Sequence, residues 1–164
     1  MLKKLLLLVV TGFFLASCAA TNTQQGGDVD AASSSTSSGS DSSITAGTQE
    51  DLIVNVGDRV FFEFDSSELT VDAQATLDAQ AAWLMQYYDT NITIEGHADE
   101  RGTREYNLAL GDKRAFAVYS YLAQAGVDTN GMEYISSGKE RPEVVGSDET
   151  AYSQNRRGVT TVTN

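Results

Sequence analysis

Apolar and polar positions alternate along the second half of the chain in patterns that name its elements. Val60, Phe62 and Phe64 alternate with Phe61 and Glu63, predicting a strand over 60–64 with those three side chains on one face and a stop at Asp65, Ser66 and Ser67. Thr70 then serves as an N-cap and Asp72 as a first-turn acid for a helix running to about residue 88, whose apolar stripe is Leu77, Ala81, Leu84 and Tyr88. Ile92 and Ile94 alternate with Thr93 and Glu95 in a second strand that stops at Gly96. A second helix is predicted over 107–125, with Leu108, Gly111, Ala115, Val118 and Leu122 on its core stripe and Gly126 as its stop. Strands follow over 132–136 and 159–163, joined by a loop with room for a short helix. The order β-α-β-α-β-β predicts an α+β sandwich, with helices packed on one face of a mixed four-stranded sheet.

The first fifty residues follow other rules. Lys3 and Lys4 precede an apolar run over 5–15 and the small residues Ala16 and Ser17. That is the layout of a signal peptide over 1–17. Its apolar run is too short for a bilayer span, which takes about 20 residues. From Ala19 to Asp51 only Val29, Ile44 and scattered alanines could enter a core, and residues 33–43 are a Ser/Gly-rich run. Such composition cannot bury enough apolar surface to offset ordering entropy, so residues 18–51 are expected to form a flexible tether. Its five acids are Asp28, Asp30, Asp41, Glu50 and Asp51. The folded domain is then expected over 52–164, long enough for a modest core without disulfides.

Charge and rare residues narrow the function. The net charge of −12 and pI near 4.3 argue against nucleic-acid binding, which needs clustered Lys and Arg. One Cys and one His leave no disulfide framework, no multi-Cys zinc site and no His cluster, and no cofactor is implied. Without residues 1–17 the chain keeps 9 basic and 23 acidic residues, a net of −14. Anionic headgroups would repel it, so a membrane anchor would have to be lipid rather than electrostatic.

The chemistry gathers in residues 93–115, which pass from a strand through a charged, Gly-punctuated loop into a helix N-terminus. Loops held between rigid elements are where binding residues concentrate, and a helix N-terminus suits a carboxylate. Two resemblances carry the reading further. Leu15-Ala16-Ser17-Cys18 resembles the bacterial lipobox, which implies cleavage before Cys18 and lipidation of that residue; Ala19 after it favours the outer membrane by the same sorting rule. Phe62 to Asp65, Glu95 to Gly102, Asn107 to Ala115, Gly138 to Pro142 and Ala151 to Arg157 together resemble, in order and spacing, the OmpA-like peptidoglycan-binding domain family and most closely its lipid-anchored branch.

That resemblance implies a ligand, the meso-diaminopimelate of the peptidoglycan stem. Asp99 would accept from its ammonium and Arg114 would pair with its carboxylate. Asp65, Phe64, Glu100, Arg101, Asn107, Leu110 and Arg157, with Asn155 and Arg156, would build the pocket. It also implies TolB and the Tol complex as partners on an overlapping surface, and a place on the periplasmic face of the outer membrane, anchored at Cys18. The physics of the pair agrees, because adjacent charges on an amino-acid end match a fixed Asp and a fixed Arg. Gly158 departs from the family pattern, where a bulkier residue is usual, and is expected to weaken the start of the last strand.

Other readings stand beside this one. Asp99 and Arg114 could form an ion pair with no ligand, and His97 is expected to be a packed, hydrogen-bonded residue. No enzyme is expected: one using Asp99 and Glu100 would need one of them buried with a raised pKa, and two adjacent acids beside Arg101 and Arg104 are expected both to stay ionised. A third class is a module that mainly binds a periplasmic protein partner.

Overall fold

The computed structural model describes residues 44–163. The chain runs α1 (Gln49–Asn55), β1 (Arg59–Phe61), α2 (Val71–Gln86), β2 (Ile92–His97), α3 (Arg104–Gln124), a 3-10 turn (Thr129–Gly131), β3 (Met132–Gly138), α4 (Glu149–Asn155) and β4 (Arg157–Val162). The signal segment, Cys18 and the Ser-rich part of the tether lie outside the described residues. Helix starts follow side-chain capping. Thr70, Thr103 and Asp148 accept from the amides of Ala73, Tyr106 and Ala151 and so satisfy N–H groups that the first turns leave unpaired.

The sheet order is β1-β4-β2-β3, with β4 antiparallel to both neighbours and β2 parallel to β3. The β2–α3–β3 segment is the crossover that a parallel pair demands. The core comprises Val60 and Phe62, the inward stripes of α2 (Leu77, Ala81, Leu84) and α3 (Ala115, Val118, Leu122), and Ile92 and Ile94 of β2. This is the expected α+β sandwich on a mixed four-stranded sheet.

Several details differ from the sequence reading. β1 covers three residues rather than running to Phe64. Pairing extends only to the Phe62 amide, which donates to the Arg156 carbonyl, and Asp65 then adopts a left-handed φ of 55° that turns the chain. Phe62 is therefore buried while Phe64 is 60% exposed. α2 ends at Gln86, so Tyr88 leaves the core stripe for solvent. α3 begins at Arg104, and Leu108 is 48% exposed, because Gly111, Ala115, Val118 and Leu122 already fill the face turned to the sheet. β3 extends to Gly138, and β4 starts at Arg157.

α1 has no counterpart in the sequence reading and cuts across the expected boundary at Leu52. Asp51 accepts from Trp83 Nε1 at 2.9 Å and from the Gly47 amide at 2.9 Å, and Leu52 enters the core. The Gln49 amide spans the part of β4 that the short β1 leaves unpaired, donating to Thr160 O and accepting from Val162 N.

Gly158 does not weaken β4. It pairs with Val60 on one side and Gly96 on the other, and a Cβ there would press on Val118 at 3.1 Å. Across from it, a Cβ on Gly96 would collide with the carbonyl of Gly111. These glycines let α3 lie directly on β2, and that close crossing sets the height of Arg114 above the strand end.

Candidate functional site

At the end of β2 the chain enters a loop fixed from three sides. The Ala98 amide donates to Gly138 O at 2.7 Å, Asn107 Nδ2 to Arg101 O at 2.8 Å, and Lys139 Nζ to the carbonyls of Glu100 and Gly102. Gly102, with φ 90°, makes the turn into Thr103 that a side chain would strain. A cavity of about 190 Å³ opens between this loop, the first turns of α3 and the turn after β1. It is lined by Phe64, Asp65, Asp99, Arg101, Gly102, Tyr106, Asn107, Leu110 and Arg114.

Its inner wall is charged and buried. Arg114 is 0% exposed. Its Nε donates to Ser66 O at 2.8 Å, Nη1 to His97 O at 2.7 Å and Nη2 to Glu63 O at 3.1 Å, with the guanidinium 5.2 Å from the Phe62 ring centre. Each of its three nitrogens donates to a neutral carbonyl, and among the described residues no carboxylate is in contact with it. Burial and then the nearby Arg156 pull its pKa down to about 10, against the opposing pull of Asp99 and Asp65.

Asp99 is 5% exposed. It accepts from the Arg101 amide and Nε at 3.1 Å each and from Arg101 Nη2 at 2.6 Å, and Arg156 Nη1 lies 3.5 Å away. Burial pushes the carboxyl up, but the Arg101 bonds and charge outweigh it and hold Asp99 below the ordinary carboxylate range. A general acid needs the opposite shift. Asp99 and Arg114 are not an ion pair: each is satisfied by other groups.

The outer rim is aromatic. Tyr106 donates its hydroxyl to Asp65 across the cavity, and that bond, ahead of burial, raises the tyrosine pKa. Arg101 lies between two rings, 4.2 Å from the centre of Phe64 and 4.2 Å from that of Tyr152.

Residues 61–156 match the OmpA family, more than half of the chain. The chain belongs to the OmpA family. Among its relatives, the peptidoglycan-associated lipoprotein of Rhizobium meliloti is 60% identical over 116 residues, which cover 71% of this chain and 66% of that protein. The crystal structure of the peptidoglycan-associated lipoprotein from Burkholderia pseudomallei superimposes with a TM-score of 0.63 at 44% identity, over 65% of this chain and 90% of that one. The C-terminal domain of Helicobacter pylori MotB, at 22% identity and a TM-score of 0.60 over 65% of this chain and 84% of that one, shares the fold. The OmpA match brackets every residue that lines the cavity.

Of the nine ligand-site residues that the sequence singled out, the structure brings seven to this cavity: Phe64, Asp65, Asp99, Arg101, Asn107, Leu110 and Arg114. Glu100 and Arg157 stand elsewhere. Glu100 points off the loop and accepts from the Tyr152 hydroxyl at 3.0 Å. Arg157 follows Arg156 at the start of a strand, where consecutive side chains take opposite faces. Arg156 therefore reaches Asp99, while Arg157 turns to Arg141 O and Glu143. Asn155 pins the amides of Glu143 and Val144 and is no part of the cavity.

Sequence reading missed Tyr106 and Gly102. Tyr106, Leu110 and Arg114 lie at i, i+4 and i+8 on one face of α3, so helical spacing from Arg114 was the available signal. His97 is buried as expected, with its ring beside the Arg141 backbone and Glu95 Oε2 3.5 Å from Nε2. Burial first, and Arg157 second, lower its pKa to about 4.

Proposed function

We propose that the chain is an outer-membrane lipoprotein, anchored through Cys18, whose domain binds peptidoglycan non-covalently by the meso-diaminopimelate of the stem peptide. One observation carries the reading: a buried guanidinium held by carbonyls, with no carboxylate in contact among the described residues, lines the same small cavity as a buried carboxylate. Arg114 takes a ligand carboxylate as a charge-assisted, bidentate pair, for which its fixed fork is suited. Asp99 takes the adjacent ammonium, and Asn107, Leu110, Phe64 and Asp65 shape the walls between. The names of the relatives in Rhizobium meliloti and Burkholderia pseudomallei, both peptidoglycan-associated lipoproteins, support the ligand class.

Such a protein ties the outer membrane to the wall, with the residues before α1 as the tether. The exposed rim of Phe64 and Tyr106 suits a protein partner as well. TolB of the Tol complex fits there, in exclusion of the wall ligand.

The test is co-sedimentation of the full chain, in detergent, with purified diaminopimelate-type peptidoglycan. Wild type is expected to pellet, and Asp99→Asn and Arg114→Lys to stay in solution with their circular dichroism unchanged. Wild type left in the supernatant would overturn the reading. Pelleting that both variants retain would place the wall contact outside this cavity.

A further inference from the structure

Both charges that the proposed ligand needs are closed off. Arg114 has no exposed surface, and Asp99 is covered by a guanidinium that belongs to the chain itself. From this we infer that Arg101 is an internal stand-in for the ligand's ammonium: it occupies Asp99 in the free protein, is exchanged for the incoming cation on binding, and thereby sets the requirement for a free amine. The inference rests on the function proposed above and adds the residue that selects the ligand.

The hydrogen bonds on Asp99 support an exchange over simple addition. Oδ1 already accepts from the Arg101 amide and Nε, and Oδ2 accepts from Arg101 Nη2 with Arg156 Nη1 3.5 Å away. These donors fill the acceptor positions of the carboxylate, so an incoming ammonium gains a bond there only by displacing one of them.

Of the two arginines on Asp99, Arg101 is the one able to leave. Arg156 is buried and tied by Nε to Phe62 O at 3.0 Å and by Nη2 to Glu149 at 2.7 Å. The Arg101 side chain is 35% exposed, and apart from Asp99 it is held by two ring faces, which grip a flat cation without fixing its rotation. A second seat is also at hand. Glu149 Oε2 lies 3.7 Å from Arg101 Nη1 on the solvent side. Sliding between Phe64 and Tyr152 toward Glu149, Arg101 would uncover Asp99 without losing its aromatic contacts. A ligand whose amine is acylated offers nothing in return for this carboxylate and leaves the latch shut.

Calorimetric titration of the full chain in detergent, with a soluble muropeptide that carries a free diaminopimelate amine, tests the exchange. The same muropeptide with that amine acetylated is the control. Removing the competitor in Arg101→Ala is expected to tighten binding of the free-amine ligand by about tenfold, the worth of one charge-assisted bond at a partly exposed site. Binding of the acetylated ligand should not gain, and Arg101→Lys, which keeps a competing cation, should stay near wild type. In the nitrogen-15 spectrum of wild type, the Arg101 Nε–H signal should move on saturation with the free-amine ligand and stay in place with the acetylated one.

If Arg101→Ala folds with an unchanged melting curve yet binds the free-amine ligand more weakly or equally, Arg101 is not a competitor and the exchange is overturned, while the site stands. Failure of both wild type and Arg101→Ala to bind the free-amine ligand would remove the site itself.

Discussion

A buried arginine held by carbonyls alone is an unusual way to spend a charge, and its consequences are measurable at that residue. Replacing Arg114 by Met leaves the carbonyls of Ser66, His97 and Glu63 without their donors. Relief of the buried charge offsets part of that cost, so a net loss of about 2–4 kcal/mol in urea unfolding is expected. A loss below about 1 kcal/mol would mean that water entering from the cavity replaces the guanidinium. His97 makes a second residue-scale prediction. Its folded pKa of about 4 lies below the ordinary 6.5, so the proton favours the unfolded chain. The stability held above about pH 6.5 is therefore lost progressively as pH falls toward 4. Asp99 and Glu95, whose pKa values are lowered, lose their contributions only below the ordinary carboxylate range, so the decline between about pH 6.5 and 5 belongs to the single histidine. Urea midpoints across that interval should slope for wild type and lie flat for His97→Asn; equal slopes would reject the assignment.

The elements matter through one crossing and one clasp. α3 lies on β2 where Gly96 meets Gly111, and the stripe Tyr106, Leu110 and Arg114 reaches the cavity only at that separation. Gly96→Ala sets a Cβ against a helix backbone that cannot yield locally, so a loss above about 3 kcal/mol is expected, with weakened wall binding in whatever fraction folds. Thermal unfolding within a degree of wild type would show that α3 can shift without cost. α1 acts as the clasp. It is short and exposes Ile53 and Val54, so its sequence offers little amphipathic signal. What holds it is distant: Trp83 on Asp51, and β4 on Gln49. Partners so far away in sequence leave no local periodicity, which is why residues 49–51 read as tether.

At the scale of the molecule, the domain begins before the apolar pattern does. A chain starting at Leu52 lacks the Asp51 and Gln49 bonds and is expected to be less stable than one starting at Ile44 by about 2–4 kcal/mol, on the order of 1 kcal/mol per lost bond. Equal urea midpoints would show α1 to be dispensable. The anchor proposed at Cys18 adds a prediction on placement. Cys18→Ala should remove the protein from the outer-membrane fraction while the full chain still pellets with isolated peptidoglycan. Retention of the variant in the outer-membrane fraction would overturn the anchor.

The amino-acid sequence by itself determined the α+β class, the two long helices and the four strands, because alternation, helical spacing and capping are local, and its resemblance to the OmpA-like family named seven of the residues that line the cavity. Only the tertiary structure decided who neutralises whom. Asp99 and Arg114 carry the charges that a ligand would need, yet Asp99 is paired with Arg101 and Arg156, while Arg114 rests on three carbonyls from two separate segments. Partner choice depends on which atoms fall within about 3 Å once α3 settles on β2, and that distance is fixed by glycines whose role shows only when the two backbones meet. Glu100 and Arg157 fell away for the same reason. A motif names residues, but the direction of each side chain comes from loop turns and strand alternation set by packing.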